Sequence, residues 1–184
     1  MASFGERVIG AMKLDAQTFE EIERDPSAIS QTVGVIALGA VSYGIGNIWY
    51  GGITGILSSM IIMLIQYAIW ALMVWVIGTK LMPDPATKAD LPETFRVIGF
   101  AAAPWLLGVI TIIPLVGWLI VFLLWLWSIA MMIVAVKQVL DYSDYAKPAI
   151  VVVIAFVVQF AVGMMLAFMF IGSAMIGSMM SQQY

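Results

Sequence analysis

"MIIMLIQYAIWALMVWVIG", residues 60–78, is apolar on every side and carries no charge. A strand of a membrane barrel alternates apolar and polar residues with period two, and no such alternation exists here. The stretch therefore reads as a helix in hydrocarbon, where about 20 residues cross roughly 30 Å.

The rest of the chain extends that reading. Of 184 residues 63% are apolar and 10% charged, against about 45–50% and about 25% in soluble domains. Apolar runs at 32–49, 53–79, 97–113, 115–136 and 149–176 predict an all-α, polytopic membrane protein. Its five transmembrane helices occupy residues 31–184, behind an amphipathic cytoplasmic segment, residues 1–30. No basic tip followed by an apolar core marks a cleavable signal, so the amino-terminal segment is expected to remain. The last run, 28 residues or about 42 Å as helix, must tilt, protrude or break, and Gly163, Gly172 and Gly177 are where it would distort.

Charge sets the orientation. Arg7, Lys13 and Arg24 precede the first span; Lys80, Lys88 and Arg96 separate the second from the third; Lys137 and Lys147 separate the fourth from the fifth. Those are all eight basic residues, and all eleven acidic ones fall in the same segments. The positive-inside rule then puts the amino terminus in the cytoplasm and the carboxyl terminus outside, in a cell membrane. A re-entrant hairpin over residues 101–118 is the alternative, harder to reconcile with lysines on both sides of the third and fourth segments.

Two short helices are expected before the first span. In "FGERVIGAMKL" Phe4, Val8, Ala11 and Met12 share one side at helical spacing, with Glu6, Arg7 and Lys13 on the other. Asp15 caps "AQTFEEIER", which carries Phe19 and Ile22 and ends at Asp25-Pro26. The plain reading is a lead-in anchored at the interface; the sharper one makes Phe4, Val8, Met12, Phe19 and Ile22 a partner-docking face. Asp90 or Leu91 before Pro92, then Glu93 as a first-turn acid, marks the start of the third span, and Pro148 suits the first turn of the fifth.

Little in the spans carries chemistry. They contain no ionisable residue of the kind that marks ion paths or proton relays, and the chain has neither cysteine nor histidine. No phosphate loop, nucleophile triad or zinc spacing occurs, so no enzyme, cofactor, metal or nucleic-acid partner is expected. Asn47, Gln66 and Gln159 are expected to bond across helices, since lipid offers them nothing. Small residues four apart, Ala40/Gly44, Ser42/Gly46, Gly51/Gly55, Ser173/Gly177 and Ala174/Ser178, allow close helix packing. Trp49 and Trp118 suit an aromatic belt; the deeper tryptophans and the fourteen methionines read as packing.

Pro104 stands in the middle of the third span, where it removes a backbone donor, and predicts a kink packed inside the bundle. Pro114 and Gly117 form an abrupt turn into the fourth span. Gly99-Phe100, Pro104, Pro114 and Gly117, followed by the tryptophan-rich "LLWLWSIAMMIVAVKQVLDYS" at 123–143, resemble the Ypt-interacting protein (YIP) family of five-span membrane proteins. The lead-in "ERVIGAMKLDAQTFEEIERDPSA" at 6–28 is similar to its prokaryotic members, which implies a bacterial or archaeal membrane.

In eukaryotic relatives the resemblance implies Rab-type GTPase binding; the "DLxGP"-type motif is missing here, which argues against a GTPase partner. The expected function is a non-enzymatic membrane scaffold or adaptor, in contact with the bilayer and with a membrane-protein partner or a second copy. Two alternatives stay open: an accessory subunit of an energy-transducing or photosynthetic complex, and a transporter or lipid-moving protein.

Overall fold

The computed structural model describes residues 2–113, 115–161 and 164. Pro114, residues 165–176 of the last predicted run, its three glycines and the two carboxyl-terminal small-residue pairs lie outside the described residues. Among the described residues all regular structure is helical: α1 (Phe4–Met12), α2 (Ala16–Arg24), α3 (Ala28–Gly46), α4 (Ile48–Val76) with a π-helical end (Ile77–Leu81), α5 (Leu91–Phe100) continued by a 3₁₀ helix (Ala103–Ile112), α6 (Gly117–Val139) and α7 (Ala146–Ala161). Among the described residues four segments are long and apolar enough to cross a membrane, Ala28–Gly46, Gly52–Leu81, Leu91–Ile112 and Gly117–Val139; the described part of α7 is a shorter apolar helix.

Local signals place the helix ends. Ser3 and Glu6 form a reciprocal capping box on α1, Asp15 accepts from the backbone of Gln17 and Thr18, and Asp90 with Glu93 repeats the box at α5. The first span begins four residues earlier than the predicted 32–49 and stops at Asn47. The break expected between the first two spans falls at Gly52, where the helical path is interrupted at a φ of 57° that a side chain would strain; residues 48–51 before it are helical.

The third span departs furthest from expectation. Its α-helix ends at Phe100, before Pro104, and the chain tightens into i→i−3 bonding: Ala101 to Ile98, Ala102 to Gly99 and Trp105 to Ala102, each 3.0–3.1 Å. Ten residues of 3₁₀ helix follow, a form rarely longer than 3–4 residues. It rises about 20 Å where an α-helix would rise about 15 Å. Pro104 is buried within it, so the distortion is a change of helix type and not a simple kink.

α3 supports that segment. The Ser42 hydroxyl donates to the Leu106 carbonyl at 2.8 Å and accepts from the Val109 N–H at 2.9 Å, serving two backbone groups that hydrocarbon would leave without water. Gly108 makes the approach possible: a Cβ there would lie 2.7 Å from the Tyr43 Cα. On its other side α3 meets α4, where the Ser59 hydroxyl donates to the Ala40 carbonyl at 3.1 Å. The pairs Ala40/Gly44 and Ser42/Gly46 therefore pack within this chain, each toward a different neighbour. Ser42→Ala should lower stability by about 1 kcal/mol and Gly108→Ala by about 1–3 kcal/mol, read by thermal unfolding in detergent.

Candidate functional site

The charged segments collect at one end of the bundle. Tyr142 donates its hydroxyl to the Met82 carbonyl at 2.8 Å, Thr87 donates to the Leu140 carbonyl at 2.7 Å, and Lys147 pairs with Asp84. These contacts join the loop after α4 to the loop after α6. Trp75 and Trp127, expected as deep fillers, donate their indole N–H groups to the Ala89 and Met12 carbonyls, each at 3.1 Å. Trp49 and Trp118, 77% and 72% exposed, suit the predicted belt.

Arg7 holds the amino-terminal helices down. The sequence pattern assigned it to the solvated face of α1; in the structure its side chain is 1% exposed. Its guanidinium donates to Glu21 Oε1 at 2.8 Å, Asp25 Oδ2 at 2.6 Å and Gln31 Oε1 at 3.1 Å, tying α1 to both α2 and α3. The Asp25 carboxyl also accepts from the Ser27 hydroxyl and N–H at 2.6 and 2.9 Å. The Ser27 hydroxyl, and next Arg7, hold Asp25 down at about 2. Arg96, from α5, donates to the Glu23 carbonyl at 2.5 Å.

A signal for Arg7 did exist, because it precedes Ala11 by one turn and so sits beside the buried stripe. That stripe is occupied. Val8, Phe19 and Ile22 belong to the chain's own core and Met12 packs against it, so among the five expected docking residues only Phe4, 36% exposed, is left outward. The side chains are consumed internally because two nine-residue helices hold only by burying their apolar faces.

Below the cap lies a cavity of about 1000 Å³, bounded by α4, α6 and α7 with Tyr43 of α3 and Trp105 of the 3₁₀ helix. Gln66 and Gln159, called to bond across helices, both line it; Asn47 instead donates to the Tyr43 carbonyl at 3.0 Å, closing its own helix. Trp70, Trp125 and Phe156 line the wall, and Trp125 meets Phe156 edge-on at 6.0 Å. Ser128 Oγ and Gln159 Oε1 are buried with no hydrogen-bond partner among the described residues. No single stretch marks this site, since its walls come from helices far apart in the chain; the polar Gln66 and Gln159 in apolar spans are the one local signal. Of the family-like residues, Gly99, Phe100 and Pro104 are buried along the third span, and Gly117 donates to the Ile113 carbonyl at 3.0 Å to close the turn.

The sequence model of the Yip1 domain matches residues 9–168. The chain belongs to the Yip1-domain family. The match takes in α2, every span-length helix among the described residues and α7, and so covers the cavity; of the cap it leaves out the first half of α1, Arg7 included. No curated protein and no solved structure matches the chain. This family member is a membrane protein whose described residues include no group of three or more acidic, cysteine or histidine side chains able to hold a metal.

Two measurements test the cap. Arg7→Ala leaves Asp25 without its buried counter-ion and should cost about 2–3 kcal/mol, seen as a lowered unfolding midpoint. Glu23 is pushed up from 4.5 to about 7, first by burial and then by the Asp141 and Glu93 carboxylates. Folding thus favours its protonated form: the contribution to stability is full below about 4.5 and is lost as pH rises through about 7. Glu23→Gln should flatten the fall in melting temperature between those two values.

Proposed function

We propose that this family member is a non-enzymatic membrane scaffold that crosses the cell membrane five times, amino terminus in the cytoplasm and carboxyl terminus outside. The single observation in support is the Arg7 clamp, which fixes α1 and α2 as a rigid cap on the charged end of the bundle. A buried charge held by three partners is costly to desolvate, and its return is a fixed geometry. A fixed polar platform on a lipid-embedded bundle suits the positioning of a partner protein or a second copy. The outward side chains of that platform, Lys13, Glu20 and Arg24, offer both signs of charge.

The absence of native cysteine makes the test direct. Lys88→Cys should be shielded from a membrane-impermeant maleimide in intact cells and Gln183→Cys labelled; the reverse pattern would turn the orientation around. Photo-crosslinkers at Lys13 and Arg24 should give one stoichiometric adduct in native membranes, lost in Arg7→Ala while insertion is kept. Absence of any adduct at either position would refute scaffolding. Migration in one large complex after mild extraction would favour the accessory-subunit alternative.

A lipid-handling role is the second reading, and the cavity beneath the cap favours it.

A further inference from the structure

We propose that the cavity between α4, α6 and α7 is a binding site for a neutral lipid with a free hydroxyl, taken from the surrounding bilayer. This goes beyond scaffolding and does not depend on it.

Location gives the source. The walls are membrane-spanning helices and the apolar α7, and Ile62, Val153 and Phe160 on the rim are 59%, 61% and 62% exposed. An acyl chain can pass between lipid and cavity without crossing a polar layer. Size gives the scale: about 1000 Å³ is at the upper end for small-molecule pockets.

Charge narrows the class. Among the described residues no acidic or basic side chain lines the cavity, so an ionised headgroup would be desolvated there without compensation. Phospholipids and ionised fatty acids are thereby disfavoured, and a neutral amphiphile fits. Trp70, Trp105, Trp125 and Phe156 supply flat apolar surface for its chain.

The two orphaned polar atoms specify the head. Gln159 Oε1 and Ser128 Oγ are buried and unpartnered among the described residues, and Ser128 is 8% exposed as a whole. Each such atom costs about 1–3 kcal/mol while unmade, which a helix interface in lipid has no reason to retain. The Gln159 amide can turn its oxygen or its nitrogen toward a ligand and the Ser128 hydroxyl can donate or accept, so a group that itself both donates and accepts meets the pair in either orientation. A hydroxyl is the smallest neutral group that both donates and accepts.

The test uses the full chain in phosphatidylcholine vesicles with three photoreactive, clickable probes of equal chain length: a diacylglycerol, its 3-O-methyl ether and a phosphatidylcholine. Diacylglycerol should label α6 or α7 peptides at least about five-fold more than either control, the discrimination expected for one buried hydrogen bond. Gln159→Leu and Ser128→Ala should each bring labelling toward the ether level. In lipid-free detergent the same variants should melt no lower than the parent, because they remove unsatisfied atoms, and that excludes misfolding as the cause. Met132→Trp, which fills the cavity, should abolish labelling. Equal labelling by all three probes, or full labelling of Gln159→Leu, would overturn the assignment. Neither result bears on the cap or its partner.

Discussion

The contact between α3 and the 3₁₀ half of the third span governs the architecture. In hydrocarbon no water satisfies a stray backbone group, so a helix that changes type at residue 101 must find its partners in protein. Ser42 meets the Leu106 carbonyl and the Val109 N–H together, and Gly108 lets the backbones close in far enough for it to do so. Once those two segments are joined, α4 is placed through Ser59 on the opposite side of α3, and Trp105 is set at the edge of the cavity.

The charged end obeys a different economy. There, helices of nine residues are too short to persist alone, and they are held by apolar burial of Phe19 and Ile22 together with two buried guanidinium groups, those of Arg7 and Arg96. Arg7 binds three side chains from α2, its terminus and α3, so the cap responds as a unit. The carboxylates differ accordingly: Asp25 lies next to its cation and is held ionised, whereas Glu23, half-buried and near the like charges of Asp141 and Glu93, is pushed toward neutrality. Cap and cavity share the bundle but have opposite chemistry, one ionic and the other neutral.

Much of this was legible one segment at a time. Periodicity and capping residues located α1 and α2, Asp15 and Asp90 cap their helices, and four of the five apolar runs overlap span-length helices among the described residues. Pro104 correctly marked a distortion, yet its form, a ten-residue 3₁₀ helix, depends on Ser42 and Gly108 across the contact. The place of Arg7 was not legible in its own segment, because a charged residue beside a buried stripe is solvated or buried according to whether carboxylates arrive from another helix. Asn47 donates to the Tyr43 carbonyl one turn back in its own helix.

Sequence by itself determined that the chain is helical, that it lives in lipid and which segments share an end, because hydropathy, period and charge act residue by residue along the chain. Tertiary structure alone decided that Gln66, Ser128 and Gln159 border one cavity and that Arg7 is a clamp. Those facts depend on which helices become neighbours, and interhelical contacts in a membrane are chosen by close fit between backbones, a property of pairs of surfaces that no single segment carries.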